Sequence, residues 1–216
     1  MDLKGKKFVA SYSGGKDSIF AVHRAIEAGL VPLELITTYS EDRSWFHGLP
    51  KSLLKKVSDS LEIPLTLIHT PGDQYQDNFE KTLTASMKKG AEVCVFGDID
   101  IEDHLRWCTD CCEAVGIIPY FPMWKESRKK LVYEFVDAGF KSVITIVDTT
   151  RMPVEFLGQI LTRDTADAIE KSGADICGEN GEFHTFTYDG PLFNHTVDYK
   201  ITDRFQRGKY AVISIE

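Results

Sequence analysis

Long apolar runs are missing from this 216-residue sequence. Nothing approaches the roughly 18 consecutive apolar residues that a membrane span needs, and the opening MDLKGKKFVA lacks the apolar core of a secretion signal. Positive charge is also in deficit. With 25 Lys and Arg against 33 Asp and Glu, the formal net charge is -8 and the pI about 5.3, which argues against nucleic acid or an anionic membrane as a partner drawn in by overall charge. Cysteine is scarce and odd in number: five residues without a secretion signal point to reduced thiols, not to a disulfide framework. No internal repeat, low-complexity tract or long linker interrupts the chain. These absences leave a soluble cytoplasmic protein with no membrane partner, and 43% hydrophobic residues are enough to bury a core without covalent staples.

Apolar, β-branched runs at 7–13 (KFVASYS), 33–40 (LELITTYS), 65–70 (LTLIHT) and 92–98 (EVCVFGD) read as buried strands. Helical spacing separates them: Ile19, Val22, His23 and Ile26, then Leu53, Leu54, Val57 and Leu61, then Phe79, Leu83 and Met87. Strand alternating with helix predicts an α/β fold, an open and mostly parallel sheet with helices on both faces. The pattern continues through helices at 100–115 and 126–138, a strand at 142–148 and a helix at 164–172. Alternating segments without helices follow (FHTFTYDG, HTVDYKIT, KYAVISIE), which predict a short antiparallel tail. A boundary near Trp124 gives two expected domains, 1–124 and a small α/β domain at 125–216.

The turn between the first strand and helix is Ser13-Gly14-Gly15-Lys16-Asp17-Ser18. It falls at the carboxyl edge of the predicted sheet, where open α/β sheets bind ligands. Glycines there allow backbone N–H groups to converge on an anion, the helix N-terminus adds positive potential, and Lys16 brings a formal charge. A phosphate suits such a turn. The plainer alternative is a tight Gly-Gly turn with Asp17 or Ser18 as helix cap. The glycine spacing is not that of the Walker loop.

A second dense cluster, GENGEFHT at 178–185, brackets Glu179, Glu182 and His184 with glycines. Chain bends of this kind let carboxylates and an imidazole converge on an amine, a metal or a transferred proton. The alternative is a surface loop of solvated acids leading into an edge strand.

The hexapeptide S-G-G-K-D-S is similar, residue for residue, to the signature of the PP-loop ATP pyrophosphatases. Together with FGDI at 96–99, GENGEFHT and DGPLF at 189–193, the chain resembles the diphthine-ammonia ligase family over most of its length, from Ser13 to about Phe193. The resemblance implies a Rossmann-like fold of the HUP type and an amide-forming ligase: ATP adenylates a carboxylate with loss of pyrophosphate, and ammonia then displaces AMP. It further implies that Ser13, Gly14, Gly15, Lys16, Asp17 and Ser18 hold the departing pyrophosphate with magnesium, Asp17 being the metal ligand. Thr37 and Thr38 would border the adenosine, and Glu179, Glu182 or His184 would hold ammonia and take its proton. The acceptor would be diphthine on elongation factor 2 in an archaeon or eukaryote, and another carboxylate in a bacterium. A homodimer stays open.

Asp98, at the end of the fourth strand, is a candidate to orient magnesium or ammonium, or a helix cap. His104, Cys108, Cys111 and Cys112 recur on one helical face, but a straight helix does not close four ligands into a tetrahedron, so buried small thiols are the expectation and zinc the alternative. Trp107 and Trp124 are expected to pack, and His23 to lie at the core boundary of the first helix. Two competing functions are a PP-loop enzyme that modifies tRNA and an ATP-binding sensor without turnover.

Overall fold

The apolar runs become strands and the periodic stretches become helices, in a computed structural model that describes residues 2–40, 43–44 (backbone), 47–70 and 74–216. Two compact units form: Met1–Ser13, Asp17–Phe46 and Glu62–Lys125 make one, and Gly14–Lys16, His47–Leu61 and Glu126–Glu216 the other. Linear order did not foretell that two short earlier segments group with the C-terminal residues.

In the first unit, strands β1 (Lys7–Ser11), β2 (Val31–Ser40), β4 (Leu65–His69), β5 (Val93–Val95) and β6 (Ile118–Tyr120) form a parallel sheet in the order β4-β2-β1-β5-β6. A two-residue strand, β3 (Arg43–Ser44), adds antiparallel to the end of β2. Both faces of the central strands are covered, because Phe8, Val9 and Ala10 of β1 are all buried although alternate residues point to opposite faces. Val9, Ile36 and Cys94 pack with Phe79 and Leu83 of α3 (Tyr75–Lys88) and with Cys108, Cys111 and Cys112 of α4 (Glu102–Val115). Helix α1 (Lys16–Glu27) buries Ile19, Val22 and Ala25 at helical spacing. The ends of β1, β2 and β5 lie at one edge of this sheet because the strands are parallel.

In the second unit, β7 (Lys141–Asp148), β8 (Phe183–Asp189), β9 (Ile201–Arg207) and β10 (Tyr210–Ile215) form an antiparallel sheet in the order β8-β7-β10-β9. Helices α2 (Lys51–Leu61), α5 (Arg128–Asp137) and α6 (Arg163–Lys171) belong to this unit. Ser127 and Thr162 cap α5 and α6, each side chain accepting a backbone N–H from the first turn. Two expectations are corrected. SVITIVD, which continued the strand-helix alternation on paper, pairs antiparallel on both of its sides. HTVDYKIT is mostly irregular, because its early residues bond singly to β8, Thr196 Oγ1 to Asp189 and Val197 N–H to the Tyr188 carbonyl, and the ladder begins only at Ile201. No helix among the described residues is long and apolar enough to cross a membrane.

Candidate active site

Strand β8 lies at one edge of its sheet, so the backbone groups that face away from β7 need other partners. The glycine turn supplies them. Thr187 donates its N–H to the Gly14 carbonyl at 2.9 Å, and the Lys16 N–H donates to Thr185 Oγ1 at 3.0 Å. The Lys16 ammonium stands 5.8 Å from the centre of the Phe183 ring, and the side chain is buried. Gly14 takes φ +88°, a conformation that side chains other than glycine's disfavour. Lys16 and Thr185, 169 positions apart in the sequence, are thus joined by a backbone-to-side-chain bond, with the Thr187–Gly14 main-chain bond beside it.

A histidine absent from the sequence-based candidates belongs to the same cluster. His47 Nδ1 lies 3.0 Å from the Thr185 carbonyl oxygen, and its ring centre lies 4.7 Å from that of His184 at an interplanar angle of 59°. Since a carbonyl only accepts, the proton sits on Nδ1 and Nε2 is left as an acceptor. Burial first, and then the Lys16 charge, hold His184 down at about 4. Burial, His184 and Lys16 hold His47 down at about 3, against the opposing effect of its Thr185 bond. Both imidazoles are therefore neutral at pH 7 beside the Lys16 side chain. The one local signal for His47 was the aromatic, glycine and proline residues around it in WFHGLP.

The acidic residues of GENGEFHT do different jobs. Asp175 accepts the N–H groups of Cys177 and Glu179 and pairs with Arg128 at 2.7 Å, anchoring the loop. Glu182 is buried, with its carboxylate accepting from the Asn180 N–H at 3.0 Å and Asn180 Nδ2 at 3.2 Å. Its carboxylate oxygens are used in shaping the turn. Glu179 is half-buried, and His184 sits in β8 next to Lys16 and His47.

At the strand ends of the first unit, Ser13 Oγ donates to Ser18 Oγ across the turn at 3.2 Å. Gly97 of FGDI closes on the start of α1: a Cβ there would stand 2.9 Å from the Asp17 carbonyl carbon and 3.0 Å from the Ser18 nitrogen. Asp98 follows directly. Its Oδ1 lies 3.2 Å from Nδ1 of the exposed His104, and its Oδ2 lies 3.8 Å from the Cys108 sulfur. Thr37 donates its hydroxyl to the Tyr12 carbonyl at 2.5 Å, and Thr38 donates to the Tyr75 hydroxyl at 3.3 Å. Trp107 packs on Tyr75 and Phe79, Trp124 on Phe121, and His23 against Phe20.

The cysteine helix does not gather its ligands. His104 is exposed and turned to Asp98, whereas Cys111 and Cys112 lie in the apolar core. Burial, with Glu80 and the neighbouring thiols adding to it, pushes Cys111 up to about 12, and burial with Asp98 pushes Cys108 higher still. Protonated thiols are poor nucleophiles. The hard carboxylates of Asp17 and Asp98, in contrast, are the donor type that magnesium takes.

Residues 6–119 match the diphthamide synthase N-terminal domain and residues 127–216 the diphthamide synthase C-terminal domain. A diphthine–ammonia ligase of Danio rerio is 23% identical over 224 residues, covering 91% of this chain and 88% of that protein. The enzyme of that name from Homo sapiens is 25% identical over 219 residues, covering 88% and 82%. Among solved structures, a chain from Methanocaldococcus jannaschii described as a subunit of tRNA methyltransferase aligns with a TM-score of 0.45 and 16% identity, over 84% of this chain and 95% of that one. Matched on both sides of Lys125 by the two domains of one family, the chain belongs to the diphthamide synthases, a family of ATP-dependent ligases.

Proposed function

We propose that this protein adenylates a carboxylate with ATP and converts it to an amide with ammonia, releasing pyrophosphate and AMP. The observation that carries the reading is the bonding of Gly14 and Lys16 to β8, which sets the phosphate-type turn against the GENGEFHT segment. Ser13, Gly14, Gly15, Lys16, Asp17 and Ser18 hold the β- and γ-phosphates. Lys16 offsets the charge that develops on the departing pyrophosphate, at the low dielectric of a buried site where such an interaction is strongest. Magnesium, held by Asp17 with Asp98 as a second carboxylate, supplies further neutralisation of the phosphates when bound.

Ammonia attacks only as the neutral base, and a group that takes its proton must itself be unprotonated at working pH. His184 is unprotonated there, but the burial and the Lys16 charge that hold its value at about 4 also make it a weak acceptor of that proton. Glu179 is the second candidate to hold ammonium, while Glu182 is occupied in the turn. Thr38 and Tyr75 border the adenosine side, and the Thr37 hydroxyl secures β2 to the residue before the turn.

The relatives are named for diphthine, so elongation factor 2 is the acceptor in an archaeal or eukaryotic setting, and another carboxylate takes its place in a bacterium. A sulfur-carrying, tRNA-modifying role is less well supported, because the thiols of α4 are buried and protonated. The test is incubation of the purified protein with ATP, magnesium, ammonium and diphthine-bearing elongation factor 2. Formation of the amide, AMP and pyrophosphate is expected. Pyrophosphate release without amide would leave the adenylation standing and change the acceptor, and ATP bound intact throughout would mark a sensor.

A further inference from the structure

We propose that His47 is a positioning residue for the Gly14–Lys16 turn, holding it against the edge of β8 and so fixing the turn that takes a polyphosphate. The inference rests on the reading of that turn as the pyrophosphate grip. Three contacts carry it. The His47 Nδ1–H donates to the Thr185 carbonyl at 3.0 Å, while the side-chain oxygen of the same Thr185 accepts the Lys16 N–H at 3.0 Å, so one residue ties the ring to the turn. The ring also stands directly against Gly15, where any added Cβ would collide with its Cε1. It also packs on His184 at 4.7 Å between ring centres. The imidazole is thus a wedge with a polar handle: its Cε1 limits how close the turn can lie, and its Nδ1–H fixes Thr185.

Which property matters is separable by substitution. His47→Asn keeps an N–H near the position of Nδ1, His47→Gln places its amide near Nε2, and His47→Leu keeps bulk alone. Thr185→Val removes the oxygen that accepts from Lys16 and keeps the shape. The probe is inorganic pyrophosphate with magnesium, bound to the full chain and followed by calorimetry, with a melting curve for each variant.

We expect His47→Leu and Thr185→Val each to weaken pyrophosphate binding about tenfold, the loss of one well-placed hydrogen bond. His47→Asn is expected to stay within about threefold of the parent on the same reasoning. The double variant His47→Leu with Thr185→Val should be no weaker than the weaker single one, because both act through one residue. If His47→Leu melts normally and binds within about twofold of the parent, the inference fails. Should His47→Leu not fold, the decision passes to the two amides, and equal binding by His47→Asn and His47→Gln overturns it. A parent protein that binds neither pyrophosphate nor ATP would instead remove the reading of the turn itself.

Discussion

The glycine turn with β8 and the cysteine-rich face of α4 look equally chemical on paper, each a dense set of reactive residue types. They end in opposite environments. Around Lys16 the polar groups are bonded to one another and to strand backbone, and two histidines are held neutral beside a cation. Around Cys111 and Cys112 the neighbours are Phe79, Leu83, Val9 and Ile36, and the thiols serve as small hydrophobes. A reactive side chain becomes functional where its surroundings shift its protonation toward a usable form, and burial among apolar groups alone moves a thiol the wrong way.

The contrast is broken most directly at Lys16. Lys16→Ala should lower the rate of ATP-dependent pyrophosphate release by about two to three orders of magnitude, the cost of removing one preorganised charge from a developing anion. A pyrophosphate assay with the elongation factor substrate measures it, and unchanged turnover would discard the turn as the phosphate grip.

Gly97→Ala tests the other side of the turn through stability. Its Cβ would meet the Asp17 and Ser18 main chain, which cannot yield as a flexible side chain would. A destabilisation of about 1–3 kcal/mol is expected, as for other overpacked sites, and denaturant unfolding reads it.

A pH series sharpens the electrostatic half of the comparison. His184 and His47 have folded values below the ordinary histidine value of 6.5, at about 4 and about 3. Below pH 6.5 the unfolded chain therefore takes up protons that the folded chain refuses, so stability is full above pH 6.5 and falls as the pH drops toward 4. Urea midpoints across this window should decline in the parent and decline less in His184→Gln. Identical slopes in the two proteins would mean that the imidazole is not held neutral by the fold.

The smallest effect is expected on α4. Cys111→Ala should cost about 1 kcal/mol for the small cavity it leaves, with pyrophosphate release unchanged and no change in bound zinc by elemental analysis. A loss of turnover in a protein that still melts as one transition would restore a chemical role to that helix.

Much of this was legible in order along the chain. Strand-helix alternation up to residue 124 and the position of S-G-G-K-D-S across the turn after β1 and the start of α1 follow from local hydrophobic period and turn chemistry. The antiparallel second sheet was visible only in part, because the apolar run SVITIVD carries no mark of the direction in which its neighbours run. His47 escaped notice for a related reason: nothing adjacent to it in WFHGLP names Thr185, His184 or Gly15 as its partners.

The sequence by itself determined the two motifs, the family to which they point and the strands and helices that flank them, since each of these is a pattern of neighbours along the chain. Tertiary structure alone decided that Gly14, Lys16 and His47 share one strand edge with Thr185 and Thr187, and that Glu182 turns inward to Asn180. It also decided that the cysteines of α4 are core. The reason is physical: a hydrogen bond or a shifted proton affinity depends on distances across space and on the dielectric there, and neither quantity exists until distant segments have packed.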